Sequence, residues 1–196
     1  MSQLNVDQIK NRAGTGPALE FLTGGNYAFD TDTLYIDTTN NRVGINTSSP
    51  ELDLHVTGSD GMYLAAHPMI EKIDVVSSST NGSTTIYANR GSIHRYTSTN
   101  NGNFTPNFTW EGSSLRSKMN DRDCIVQTLI SPTNTGSGYS AWCNIDGYGQ
   151  TVEWNDSEAP DERGGDGGYD VYQYTIIATG TGNYDYLVLA NLSNMD

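Results

Sequence analysis

The residues able to do chemistry in this chain of 196 residues are scattered, and their spacing points to no reaction. His55, His67 and His94 stand far apart. None belongs to an HExxH or HxH pair that would bring two imidazoles onto one metal, so they read as surface or half-buried histidines. The serines include no GxSxG elbow and no SxxK pattern, the arrangements that activate a hydroxyl. Gly180 and Gly182 lack a third glycine and lead from strand to strand, where a phosphate-cradling loop would lead into a helix. Cys124 and Cys143 are too few for a thiolate cage. They could pair, but in a reducing compartment two such thiols stay free, and both read as small core residues.

Two stretches carry more weight. From Asn155 to Gly168 the carboxylates of Asp156, Glu158, Asp161, Glu162 and Asp166 lie among glycines. Oxygen-rich flexible loops supply Ca²⁺ ligands, but the spacing is not that of an EF-hand and Pro160 stiffens the middle. A solvated surface loop is expected, neither catalytic nor a tight metal site. Carboxylates for glycoside hydrolysis would have to face one another across a cleft, which sequence spacing cannot supply. Tyr139, Trp142, Tyr148 and Trp154 cluster around Asp146-Gly147. Exposed aromatic rings stack on sugars, which makes Tyr139 and Tyr148 the candidate glycan contacts, while the tryptophans are expected in the core. No enzyme motif, cofactor or metal is read from these residues.

Composition sets the boundaries. Hydrophobic residues make up 35% and charged residues 17%, with 21 glycines and much Ser, Thr and Asn. That is too polar for tight helical packing and too uncharged for a disordered tail. Ten basic against 23 acidic residues give a net charge of −13, which repels phosphate backbones and anionic membranes and excludes a basic nucleic-acid surface. No apolar run approaches the roughly 18–20 residues of a membrane span, and Met1 to Lys10 lacks a signal-peptide core. A soluble chain without a secretion signal is expected.

The elements that position these residues are strands. Only Val6 to Arg12 could form a helical turn or two before Gly14, Gly16 and Pro17 break it. Residues 1–25 are expected to be an attachment segment, with Leu4, Val6 and Ile9 as its docking side chains. Over 26–60, Leu34 and Ile36, then Val43 and Ile45, then Leu52, Leu54 and Val56 alternate with polar residues around turns at Asn40-Asn41 and Ser48-Ser49-Pro50. Such short strands bury too little apolar surface to be stable alone. These seven residues are therefore expected to form the core of an intertwined trimeric β-meander, identical chains supplying the missing face. Residues 61–196 carry strand patterns at 73–76, 84–87, 93–96, 107–110, 124–130, 140–145, 151–154, 171–178 and 184–190. They are expected to form a β-sandwich or jelly-roll-like domain seeded by Trp110, Trp142 and Trp154. The clearest hairpin has Tyr172, Tyr174 and Ile176 on one face and its loop at Thr179 to Asn183.

Three stretches resemble virion proteins of bacteriophages, especially fibre-like structural proteins of phages infecting marine bacteria and cyanobacteria. Ser2 to Lys10 looks like the short segment with which many of them begin. Leu34-Tyr35-Ile36-Asp37, the run Asn41-Arg42-Val43-Gly44-Ile45-Asn46-Thr47-Ser48-Ser49-Pro50 and Leu52-Asp53-Leu54-His55-Val56 are similar to an NRVGIGT-x-SP-x-x-LDV element of tail fibres, with Asn46 where glycine is usual. Asn144 to Gly147, Gln150 to Trp154, Ala159-Pro160 and Tyr169 to Ile177 resemble their terminal β-domain, apart from the insertion at Asp161 to Gly168 and the tail from Asn191. The resemblance implies a non-enzymatic, homotrimeric protein of the virion, assembled in the host cytoplasm and attached through its N-terminus to other virion proteins of the head, neck or tail. The length fits a short fibre or decoration protein. The alternative it leaves open is a tail-fibre adhesin binding a host cell-surface glycan.

Overall fold

Alternating apolar and polar residues become strands almost throughout a computed structural model, which describes residues 8–10, 17–21, 27–29, 33–57, 71, 73–162 and 167–195. Among the described residues the only helices are single 3-10 turns at Ala88–Arg90 and Asn155–Ser157, so the fold class is all-β. The chain divides into two units, Met1–Pro68 and Met69–Asp196.

The first unit is one six-stranded sheet in chain order: β1 (Gln8–Lys10), β2 (Pro17–Phe21), β3 (Tyr27–Phe29), β4 (Leu34–Asp37), β5 (Arg42–Ile45) and β6 (Leu54–Val56). Neighbours are antiparallel except β5 and β6, which run parallel. The helical turn expected around Val6 to Arg12 is replaced at Gln8–Lys10 by a strand paired with β2. A short isolated helix pays a nucleation cost that strand pairing avoids. Leu52 lies before β6, outside any strand.

Two turns explain the motif residues of this sheet. The Asp37 carboxylate accepts hydrogen bonds from the backbone N–H of Thr39 and Asn40 and from the Asn40 amide, which closes the β4–β5 turn. Those bonds, the Asn40 amide first, hold its carboxyl below the usual aspartate range. After β5, Asn46 sits at φ 57°, a left-handed conformation open to Gly and Asn. That accounts for Asn46 standing where the resembled motif has glycine. At Gly44 a Cβ would lie 2.3 Å from the Thr47 carbonyl oxygen, so no side chain fits there.

The second unit is a sandwich of two mixed sheets. Its strands are β7 (Asp74–Val76), β8 (Gly82–Tyr87), β9 (Ile93–Tyr96), β10 (Phe104–Thr109), β11 (Cys124–Pro132), β12 (Cys143–Ile145), β13 (Tyr148–Gln150), β14 (Val152–Trp154), β15 (Tyr169–Ala178) and β16 (Tyr186–Met195). The smaller sheet has the order β13-β12-β10-β8 and the larger β14-β16-β15-β11-β9-β7. From β7 to β12 successive strands fall in opposite sheets, so the chain winds as a coil. Each sheet receives a strand from every turn, and those strands are parallel: β7, β9 and β11 in one sheet, β8, β10 and β12 in the other. The antiparallel pairs β12–β13, β11–β15 and β15–β16 and the parallel pair β14–β16 complete the sheets.

Aromatic side chains join the layers. Phe104 meets Tyr172 edge-on with centroids 5.4 Å apart, and Phe108 meets Tyr174 at 5.0 Å. Trp154 packs on Tyr174 at 5.9 Å and donates its indole N–H to the Ala141 carbonyl. Tyr172, Tyr174 and Ile176 share the buried face expected of them. The tryptophan expectation holds for Trp110 and Trp154, which pack against the core, but Trp142 is 65% exposed. It sits just before β12, whose inward positions are taken by Cys143 and Ile145. The long β10–β11 connection supplies Leu115 and Met119 to the core instead.

Candidate functional site

The meander places six of its seven expected core residues on one side. Register puts Ile36, Val43 and Leu54 in one cross-strand row and Leu34, Ile45 and Val56 in the next, so all six side chains share a face. In a single chain this face is incompletely covered: Leu54 is 56% exposed and Ile45 36%, and the other four are half-buried. Leu52, beyond the strand, is exposed. Of the expected docking residues, Ile9 falls on β1 opposite Leu19, whereas Leu4 and Val6 lie outside the described residues.

The aromatic candidates do not form one surface. The carbonyl of half-buried Tyr139 accepts from the N–H of Phe104 at the start of β10. Tyr148 follows the β12–β13 turn, whose Asp146 N–H donates to Phe108 four residues further along that strand, roughly 13 Å away. Tyr148 instead forms an exposed edge-on pair with Tyr184, centroids 5.7 Å apart. Sequence reading missed Tyr184 because its loop is brought to β13 only by tertiary structure, through the Gln150 amide donating to the Asn183 carbonyl.

Asp146 organises this end of the sandwich. With φ of 50° at Asp146 and 85° at Gly147, the two-residue turn is of type I′, the one that matches strand twist in a tight hairpin. Its carboxylate accepts from the Thr109 hydroxyl (2.7 Å), the Leu115 N–H (2.8 Å) and the Arg116 N–H (2.9 Å).

His94 is not the surface or half-buried residue expected. It is 1% exposed on β9, with Nδ1 3.1 Å from an Asp74 carboxylate oxygen and Nε2 2.8 Å from Gln127 Oε1. The Gln127 amide nitrogen donates to the Val126 carbonyl, which fixes its oxygen toward the ring. Both ring nitrogens therefore face acceptors, and the trio ties β7, β9 and β11 together. His55 accepts from the Glu51 N–H, and His67 lies outside the described residues.

A polar groove of ≈ 250 Å³ runs beside Trp154 and Asn155, walled by Glu158, Asp161, Glu162 and Asn194. It contains the described part of the acidic loop, whose residues 163–166 lie outside the description. Among the described residues no group of three His, Cys, Asp or Glu side chains could hold a metal ion. Both cysteines are free: Cys143 is buried as expected, but Cys124 is exposed because it faces outward at the start of β11. Burial pushes the Cys143 thiol up to about 12. No described helix is long and apolar enough to cross a membrane. No protein-family model, curated protein or solved structure matches the chain.

Proposed function

We propose that this chain is a structural protein of a bacteriophage virion, a short homotrimeric fibre or decoration protein attached to the particle by its N-terminal segment, and not an enzyme. One observation carries the reading: two cross-strand apolar rows on a single face of the meander stay partly open to water in one chain. Burying a Leu, Ile or Val is worth about 1.5–3 kcal/mol. Six such residues per chain are enough to drive assembly with identical chains, and the motif they belong to is the one that resembles tail fibres. Trimeric intertwining and a jelly-roll relationship belong to this proposal, as does the virion location. Light scattering of the purified chain tests it, with three times 21.3 kDa expected. A folded monomer at micromolar concentration, or an absence of immunogold label on intact particles, overturns it. Deleting residues 1–25 should abolish incorporation into the particle while the second unit stays folded.

The second reading, a host-glycan adhesin, draws on the exposed Tyr148–Tyr184 pair and on exposed Trp142. A glycan array separates the two. Binding lost on Tyr148→Ala and Tyr184→Ala would favour the adhesin.

A further inference from the structure

The sequence holds two Asn-Gly pairs, Asn81-Gly82 and Asn101-Gly102. Such a pair can modify itself, because glycine leaves its backbone nitrogen unshielded and its dihedrals free. That nitrogen attacks the carbonyl carbon of the preceding side-chain amide. A C–N bond forms, the nitrogen's proton passes to the amide group, and ammonia leaves behind a cyclic imide. Water then opens the imide at either carbonyl, giving aspartate or an isoaspartate whose main chain is longer by one carbon. The reaction consumes water alone, so the fold decides where it runs. At Asn81-Gly82 the reacting atoms are held. The Gly82 N–H donates to the Asn103 carbonyl at the start of β8 (3.3 Å). The Asn81 main chain donates to the Thr84 hydroxyl at 3.0 Å and accepts from it at 3.3 Å. At Asn101-Gly102, between β9 and β10, Asn101 is exposed, and neither its amide nor the Gly102 N–H bonds to a described residue.

We infer that Asn101 is a self-modifying site, converting to aspartate and isoaspartate in the folded protein, while Asn81 is protected. The consequence falls on the loop before β12, because Asn101 sits between two residues that clamp that loop. On one side buried Asn100 donates its amide to the Gly138 carbonyl (3.1 Å) and accepts the Gly138 N–H on Oδ1 (2.9 Å). On the other, Asn103 accepts the Tyr139 N–H on Oδ1 (3.1 Å). Gly138 also lies against the Gly102–Asn103 peptide, so closely that a Cβ on it would come within 2.1 Å. An extra main-chain carbon between the two clamps shifts one against the other, so the isoaspartyl form loses part of this anchorage. The inference is independent of the virion reading and uses none of the meander residues.

The test ages the full chain at mildly alkaline pH, native or in denaturant, and digests it with trypsin. The peptides Ile73–Arg90 and Tyr96–Arg116 carry one pair each. Fragmentation mass spectrometry locates the new acid, and isoaspartyl methyltransferase labels the rearranged product. In the native chain Asn101 should convert about tenfold faster than Asn81 or more, the factor that about 1.4 kcal/mol of barrier makes. In denaturant the two should differ little. Native Asn81 keeping pace with Asn101, or an Asn101 that reacts only in denaturant, overturns the inference. Gly102→Ala is the control, because Gly102 is outside the left-handed region and a Cβ there meets nothing within 4 Å. The variant should keep the fold and slow conversion at Asn101 by about tenfold; an unchanged rate would refute the mechanism. Amide exchange at Gly138 and Tyr139 should quicken in aged wild type and not in aged Gly102→Ala, and equal exchange would refute the effect on the clamp.

Discussion

Replacing Asp146 by Ala should destabilise the second unit by about 3–8 kcal/mol, from three sources. The Leu115 N–H loses its acceptor next to a fully buried side chain, and stranding such a donor costs about 1–3 kcal/mol. The Thr109 hydroxyl and the Arg116 N–H are more accessible; water replaces the carboxylate there, at about 0.5–1.5 kcal/mol each. Alanine must also adopt φ of 50°, which costs an ordinary L-residue about 1–2 kcal/mol. At roughly 4 °C per kcal/mol for a unit of this size, Tm should fall by about 12–32 °C. Asp146→Asn keeps the turn and the Oδ1 acceptor but points an amide at the Arg116 N–H, so it should lie between, about 1–2 kcal/mol below wild type. Asp146→Gly removes the bonds without the strain and should exceed Ala by about 1 kcal/mol. All three tryptophans, Trp110, Trp142 and Trp154, lie in this unit, so their fluorescence follows its unfolding selectively. Hydrogen exchange at Leu115 and Arg116 should quicken first. An Ala variant melting within about 4 °C of wild type would refute the anchoring role.

Gln127→Leu should cost about 1–3 kcal/mol by removing the acceptor 2.8 Å from the buried His94 Nε2, read as a fall in the denaturant midpoint; a variant as stable as the wild type would contradict the geometry. A maleimide should label Cys124 in the native chain and spare Cys143 until denaturant is added; equal rates would count against the burial of Cys143. Burial raises the Tyr96 phenol to about 12 and also lifts Tyr174 and Tyr172, the latter helped by Asp170. Their contribution to stability is complete below the unfolded values near 10 and is lost as pH climbs toward the folded ones, so denaturant midpoints should stay level to about pH 9 and then drop. Millimolar calcium or a chelator should leave Tm nearly unchanged; a rise of many degrees with calcium, abolished by Asp161→Asn with Asp166→Asn, would make the acidic loop a structural Ca²⁺ site.

What could be read in the sequence was what depends on neighbours along the chain. Period two between Val171 and Ala178, followed by a Gly-rich loop, gave the β15–β16 hairpin, and the asparagine turn gave the two apolar rows of the meander. Sheet membership was not legible, because no residue in β8 or β9 records which layer its strand joins. Pro106 hid the first half of β10, since proline argues against a central strand. β12 joins β10 only from Asn107, so Pro106 needs no ladder bond on that side. Size alone points Trp142 to the core, and the partners of His94 come from β7 and β11, far away in sequence. The aromatic pair is half legible: the turn at Asp146-Gly147 points to Tyr148, whereas Tyr184 reaches it only through the tertiary fold.

The coil of the second unit constrains the order in which that unit can assemble. Its parallel rungs pair Gly82 with Phe104, Ile93 with Thr128 and Asn107 with Asn144. Each rung must close a loop through the opposite layer before any contact rewards it, and that entropy grows with loop length. The hairpins β12–β13 and β15–β16 pair neighbours along the chain, so their loops cost the least entropy to close. β11 pairs along most of β15, from Cys124 opposite Ile177 to Pro132 opposite Tyr169, and these partners are distant in the chain. A topology dominated by distant pairings folds slowly. Contacts that form after the rate-limiting step chiefly slow its reversal, so the last rungs to close set how long the folded unit lasts.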